Sequence, residues 1–340
     1  MRAFVITAPG QAAVQDVAPP VAMPGEVVVD VGRAGICGTD AELFSGKMEY
    51  VREGQTTYPV RIGHEWMGTV SAVGEGVGRR WVGRRVTGDT MLGCGRCRRC
   101  RDGYHHVCEF RAELGIRGNR PGALAEQVAV PETALRELPD QVDDIQGALV
   151  EPGGNALRAV RAAALRPRDR LLVLGPGTIG VLAAMFARAA GAEVHLMGRA
   201  DRSLPFAGTL GFDGVWTDET LPPLPWDAVI DASNAPRLPS RAVELAEPGR
   251  RVVYIGISPT ASLIDTRELV LKDLTAVGIL GASAGLSGAI DAYARGEVDP
   301  APLVAATVGL EDLPPALAGV FPDGAGPGPK IHVARPGGIQ

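Results

Sequence analysis

The stretch Leu171-Leu172-Val173-Leu174 runs into Gly175-Pro176-Gly177-Thr178-Ile179-Gly180 and then into a helix-length apolar segment ending near Ala190. A short apolar strand, a tight glycine turn and a helix open a βαβ unit, which commits the downstream chain to parallel strands with helices packed across them. The rest of this region keeps that rhythm. Strands are predicted at 170–174, 193–197, 214–216, 228–231, 250–255 and 274–279, separated by segments rich in Ala, Leu and Arg. The implied fold class is α/β with a doubly wound parallel sheet. The turn itself is a candidate dinucleotide site: Gly175, Gly177 and Gly180 allow close backbone approach, and the helix start at Thr178 and Ile179 offers free N–H groups to a pyrophosphate. A glycine turn without a ligand is the plainer alternative.

Before residue 150 the text differs. Alternating runs such as Glu26-Val27-Val28-Val29-Asp30-Val31 and Met67-Gly68-Thr69-Val70 are punctuated by Pro and Gly, which spells strands and turns. After about Ala292 strand-like, Pro-rich text returns and ends in Lys330-Ile331-His332-Val333. The expected organisation is one β-rich domain from 1–150 and 293–340, and one α/β domain over 151–292. A chain of 340 residues can fill two cores. Its 46% apolar and 21% charged content suits folding throughout. A formal net charge of -5 argues against a nucleic-acid partner. No apolar run is long enough to cross a bilayer and the N-terminus reads as a strand, so a cytoplasmic protein with reduced thiols is expected.

That expectation matters because four of the five cysteines crowd into Cys94-x2-Cys97-x2-Cys100-x7-Cys108. Four thiolates in one loop can close around a single tetrahedral zinc, and a closed site is structural. An iron–sulfur cluster or a disulfide pair is the alternative. Arg96, Arg98, Arg99 and Arg101 read as compensation for thiolate charge, and His105 and His106 as surface residues. The fifth cysteine, Cys37, lies in Gly35-Ile36-Cys37-Gly38-Thr39-Asp40; Gly63-His64-Glu65 and Glu151-Pro152 follow. Each fragment alone is ordinary. Together they supply thiolate, imidazole and carboxylate, a set that leaves zinc an open position.

These segments, with the EPGGNALRAV run at Glu151 and the GPGTIG turn, resemble the zinc-containing medium-chain dehydrogenase/reductases over nearly the whole chain and in that family's order. The resemblance implies a GroES-like β-rich catalytic domain joined to a Rossmann domain. It implies two Zn2+ per chain, the catalytic one held by Cys37, His64 and Glu151 with Glu65 as an exchangeable ligand. Thr39 resembles the family's hydroxyl that accepts the substrate proton; a hydrogen bond within the turn is its plainer role. One departure stands out: where many members carry His two or three residues after that Thr, this chain has Ala41-Glu42-Leu43. Glu42 is the candidate replacement, and this arrangement with Gly46 is similar to microbial glucose dehydrogenases.

The end of the second predicted α/β strand bears on the cofactor. NAD sites place an acidic residue there for the ribose hydroxyls. Here the text is Met197-Gly198-Arg199-Ala200-Asp201-Arg202. Gly198 occupies the acidic position, and Arg199 with Arg202 can pair with a 2′-phosphate, so NADP is favoured over NAD. The expected activity is hydride transfer between a secondary alcohol or ketone, such as a sugar, polyol or cyclitol, and NAD(P). The alternatives are an NADPH-dependent aldehyde reductase and a non-catalytic NADPH-binding protein. A metal-storage or nucleic-acid zinc module leaves GPGTIG and GHE without purpose. Trp66 is either pocket or core; Tyr50, Tyr58 and the 117–120 loop are candidate substrate contacts. The resemblance further implies a homodimer or homotetramer, with the strand near Leu274 pairing across a two-fold axis.

Overall fold

A computed structural model describes residues 1–200 and 203–334; Arg202 lies outside them. The α/β half contains a six-stranded sheet built from Arg170–Leu174, Glu193–Met197, Gly214–Trp216, Trp226–Asp231, Ala246–Tyr254 and Thr275–Gly278. Counting these strands in chain order, their order across the sheet is third, second, first, fourth, fifth, sixth, and every pairing is parallel. The order reverses between the first and fourth strands, and a crevice opens beyond their carboxyl ends there. The first strand is fully buried from Leu171 to Leu174. Leu171 and Val173 face the helices Val150–Ala163, Thr178–Ala189 and Leu286–Ala294, whereas Leu172 and Leu174 face the side carrying Leu238–Leu245. A strand packed on both faces needs an unbroken apolar run rather than alternation, which is why LLVL could be read without ambiguity.

The β-rich half is organised around the long strand Glu26–Gly35. Glu65–Val73 lies antiparallel on one side of it. Gln127–Pro131 and the returning strand Lys330–Ala334 pair with successive parts of its other side. Arg85–Gly88, Leu135–Glu137 and Val304–Val308 complete a seven-stranded sheet, in which Gln127–Pro131 is the strand that branches from the main path. The C-terminal strand pairs with Glu26–Gly35, setting His332 opposite Gly35 and bringing Lys330 beside the turn that carries Cys37. Gly35 also stands opposite Glu65 on the other neighbouring strand. A Cβ at position 35 would strike the Glu65 carboxylate, so only glycine leaves that side chain its path across the sheet.

Candidate active site

The turn after Gly35 feeds the helix Gly38–Ser45, and Cys37 is its N-cap. Asp40, fully buried at the third helical position, accepts a hydrogen bond from the Cys37 N–H (2.9 Å) through one carboxylate oxygen. Its other oxygen accepts the Gly63 N–H at 3.2 Å and lies 3.6 Å from His64 Nδ1. One carboxylate thus binds together the two segments that carry Cys37 and His64. Burial alone would lower the His64 pKa, but Asp40 and then Cys37 outweigh it and hold it well above the usual histidine value.

Ligand-type atoms of Cys37, His64 and Glu65 lie within 4.8 Å of one another. Both Glu65 oxygens accept hydrogen bonds from Lys330 Nζ, at 2.8 and 2.7 Å, in a buried pair, and Nζ also donates to the Ile36 carbonyl at 2.9 Å. Glu151, at the start of the helix Val150–Ala163, faces the same pocket but stays outside this close group; Asn155 Nδ2 donates to its carboxylate at 2.9 Å. Burial raises the Glu151 pKa to about 7, with His64 opposing and Glu65 adding to the rise. Sulfur, imidazole and a carboxylate in one close group, with a second carboxylate facing the same pocket, are donor types that suit zinc, and the two acids differ. Glu65 is neutralised by an ammonium group, whereas the Glu151 carboxylate accepts from the neutral Asn155 amide.

The other four cysteines gather into one lobe. Their sulfurs lie within 4.8 Å of one another, and all are free thiols. The Cys97 and Cys108 sulfurs are 3.7 Å apart. A disulfide needs about 2.05 Å, whereas a tetrahedron with Zn–S bonds of about 2.3 Å has edges of about 3.8 Å. The spacing fits the metal. Backbone N–H groups of Cys94, Cys97, Cys100 and Phe110 donate to these sulfurs at 3.3–3.5 Å. The backbone thus stabilises thiolate charge directly, a contribution invisible in the arginine count. N–H donation from Arg96 and Cys97 lowers Cys94 to about 6, while burial and then neighbouring thiols push Cys100 up to about 12. Of the arginines, Arg99 donates to the Val107 carbonyl at 2.9 Å and Arg98 pairs with Asp102. The reading of both histidines as surface residues fails: His106 is buried, and His105 Nε2 lies 2.8 Å from the buried Asp89 carboxylate.

Two connected clefts meet at Cys37, Gly38 and Thr39. One, of about 390 Å³, holds the reactive cluster and is walled by Met48, Tyr50, Glu113, Ile116, Ile279 and Leu280. The other, of about 900 Å³, follows the crevice past Gly175 and Gly177 to Gly198 and Arg199. Thr178 and Ile179 face the reactive side, and Gly180 is buried behind them. Thr39 Oγ1 lies 3.9 Å from Cys37 Sγ, and Glu42 lines the larger cleft, with burial raising its pKa. Tyr50 reaches the reactive pocket, while the Tyr58 hydroxyl is taken up by the Leu43 carbonyl at 2.6 Å and Trp66 is core. Arg117 stacks over Tyr50, and Arg120 is held by Glu26 and the Ala129 carbonyl. Asp40, Asn155 and Lys330 escaped the sequence reading. Asp40 alone left a local mark, as a short acidic residue at a helix start.

Residues 23–140 match the alcohol dehydrogenase GroES-like domain, and residues 178–295 match the zinc-binding dehydrogenase domain. A 2-dehydro-3-deoxy-L-galactonate 5-dehydrogenase from Pseudoalteromonas atlantica is 33% identical over 91% of this chain and 91% of its own length. The chain belongs to the zinc-containing medium-chain dehydrogenase/reductase family. Solved structures agree. An alcohol dehydrogenase from Escherichia coli complexed with NADH superposes with a TM-score of 0.90 at 27% identity, covering 98% of this chain and 99% of that one. A zinc-binding dehydrogenase from Sinorhizobium meliloti bound to NADP gives 0.87 at 28% identity, covering 98% and 99%. Those two relatives hold different nucleotides, so choice between the cofactors rests on this chain's own residues. As a family member it is a zinc-dependent, NAD(P)-dependent alcohol dehydrogenase-type enzyme. No helix among the described residues is long and apolar enough to cross a membrane.

Proposed function

We propose that this enzyme oxidises a secondary hydroxyl of a sugar, polyol or cyclitol, or reduces the matching ketone, with NADP in preference to NAD. The observation that carries this reading is the meeting of the reactive cluster and the nucleotide crevice at Cys37–Thr39. Zinc, when bound, supplies the positive charge that lets a nearby hydroxyl ionise at neutral pH. Cys37, His64 and Glu151 would hold it, with Asp40 fixing the segments of the first two and Lys330 pairing with Glu65, whose carboxylate would be the exchangeable ligand. Thr39 takes the hydroxyl proton at Oγ1 and passes its own toward the nucleotide ribose; Glu42, farther along the same wall, receives it in place of the family's histidine. Gly175, Gly177 and the helix start at Thr178 hold the pyrophosphate, and the apolar side chains of Ile179, Ile255 and Ile279 exclude water from the nicotinamide side.

Gly198 and Arg199 support the NADP preference. A Cβ at Gly198 would strike the Pro176 ring, so no acidic side chain fits where the ribose hydroxyls would need one. Arg199 lies exposed on the same cleft and is free to pair with a 2′-phosphate. We further propose two zinc ions per chain, the division into 1–150 with 293–340 and 151–292, and a cytoplasmic homodimer or homotetramer. The exposed edge strand Thr275–Gly278 supports a two-fold interface in either assembly, with Leu263, Val270 and Leu271 exposed on the segment before it. The test is a panel of sugars, polyols, cyclitols and aryl aldehydes assayed by nicotinamide absorbance with each nucleotide, alongside metal analysis. Turnover of polyols with NADP and about two zinc per chain is expected. Turnover confined to aldehydes, or a preference for NAD, overturns the corresponding part.

A further inference from the structure

Asp89 stands just after the strand Arg85–Gly88 and is 2% exposed, yet it belongs to neither metal cluster. Three segments converge on its carboxylate. One oxygen accepts the Met91 N–H and the Ser283 hydroxyl, each at 3.0 Å; the other lies 2.8 Å from His105 Nε2. His105 belongs to the four-cysteine lobe. Ser283 belongs to the turn between the last strand of the parallel sheet and the helix Leu286–Ala294. Met91, Ile279, Leu280 and Gly281 form one wall of the reactive pocket, which Cys37 and Glu151 also line.

That wall has little freedom of its own. Arg158, on the helix that begins with Val150 and Glu151, donates to the Leu280 carbonyl at 2.6 Å and to the Gly281 carbonyl. Ala282 and Gly285 press against Gly154 of that helix, and Met91 lies against Gly281. The 280–285 turn is thus held from both halves: by Arg158 and by Arg161, which donates to the Ala284 carbonyl at 3.1 Å, within the α/β half, and by Asp89 from the β-rich half. Asp89 connects the turn to the cysteine lobe through its contact with His105.

We infer that Asp89 is a positioning residue that couples the four-cysteine lobe to the cofactor-facing wall of the reactive pocket, through His105 on one side and Ser283 on the other. The lobe then does more than stiffen its own loop: with its metal in place, it presents His105 at the right distance to hold Asp89, and Asp89 sets the 280–283 turn. Coupling of this kind is reciprocal. A nucleotide in the crevice, by pressing that turn into place, must slow the opening of the lobe. The inference rests on the reading that the lobe holds a metal and the crevice a nicotinamide nucleotide.

The test uses the metal-loaded full chain. Alkylation of Cys94, Cys97, Cys100 and Cys108 by iodoacetamide in the presence of a chelator is followed residue by residue by mass spectrometry, with and without saturating NADPH or NADH. None of these cysteines lines either cleft, so direct shielding does not contribute. In the wild type the nucleotide is expected to slow alkylation by about fivefold or more, the lower end of ordinary coupling. In Ser283→Ala the slowing should vanish while nucleotide affinity, read by quenching of protein fluorescence, changes less than about threefold. A second measurement covers the chance that alanine loosens the fold: in a cycle of His105→Ala and Ser283→Ala, the double variant should lose about as much kcat/KM as the worse single variant, because both act through one carboxylate. Equal protection in wild type and Ser283→Ala, or multiplicative losses in the cycle, would overturn the coupling while leaving the dehydrogenase reading intact. Failure of either nucleotide to bind would remove that reading and the coupling together.

Discussion

Thr39 and Glu151 show how position makes ordinary side chains specific. Among the described residues Thr39 is the one hydroxyl that lines both clefts at the point where they join, so its removal should be felt in chemistry and not in nucleotide binding. Thr39→Val is expected to cut kcat by about 10²–10⁴, the usual worth of a positioned proton acceptor. Thr39→Ser should stay within about tenfold, and both variants should bind NADPH as the wild type does by fluorescence titration. Glu151 is set apart by burial, which raises its pKa to about 7. Its protonated form does not ligate, so below that pH a proton competes with metal. Zinc retention at the reactive cluster should therefore weaken as pH falls through about 7, and Glu151→Gln should flatten that part of the dependence; equilibrium dialysis against a zinc buffer checks both. Cys37, His64 and both glutamates were legible because each sits in a short segment with its own spacing. Lys330 was not, since nothing in KIHV distinguishes a buried ion-pair partner from an edge lysine; its role comes from a strand pairing between opposite ends of the chain.

Among elements, the strand–turn–helix at Arg170–Ala189 was the easiest to read and positions the most chemistry. Its apolar run, glycine turn and helix are contiguous, so local sequence suffices. The second strand of that sheet ends at Met197, and the choice made there is steric as well as electrostatic. Pro176 in the glycine turn fills the space that a side chain at 198 would need. Gly198→Asp is therefore expected to impair both nucleotides instead of converting the enzyme to NAD, and Pro176→Ala in the same chain should restore binding with NAD now favoured. Arg199→Ala should raise the dissociation constant for NADP by roughly tenfold to a hundredfold and leave NAD unchanged, the loss of one charge-assisted contact. Isothermal titration of each variant with each nucleotide measures both effects.

At the scale of the whole molecule, the reactive pocket exists only because the two halves face each other. Cys37, His64 and Glu65 come from the β-rich sheet and its turns, Glu151 from the first helix beyond it, and the isoleucine wall from the parallel sheet. The parallel sheet also leaves one edge uncovered at Thr275–Gly278, next to exposed Val270 and Leu271. Replacing both with glutamate, Val270→Glu with Leu271→Glu, should shift the native mass toward the monomer without lowering zinc content; light scattering after size exclusion measures it. An unchanged mass would place the interface elsewhere.

Sequence by itself determined the parallel sheet, the glycine turn and the grouping of the four lobe cysteines, because each depends on residues within a few positions of one another, where periodicity and ligand spacing are direct physical constraints. Tertiary structure decided which carboxylate is neutralised by Lys330, that Asp40 joins two ligand segments, that Asp89 joins the lobe to the pocket wall, and that His106 is buried. Those contacts span large separations along the chain, and a buried charge or hydrogen bond acquires its partner only when distant strands are brought into register.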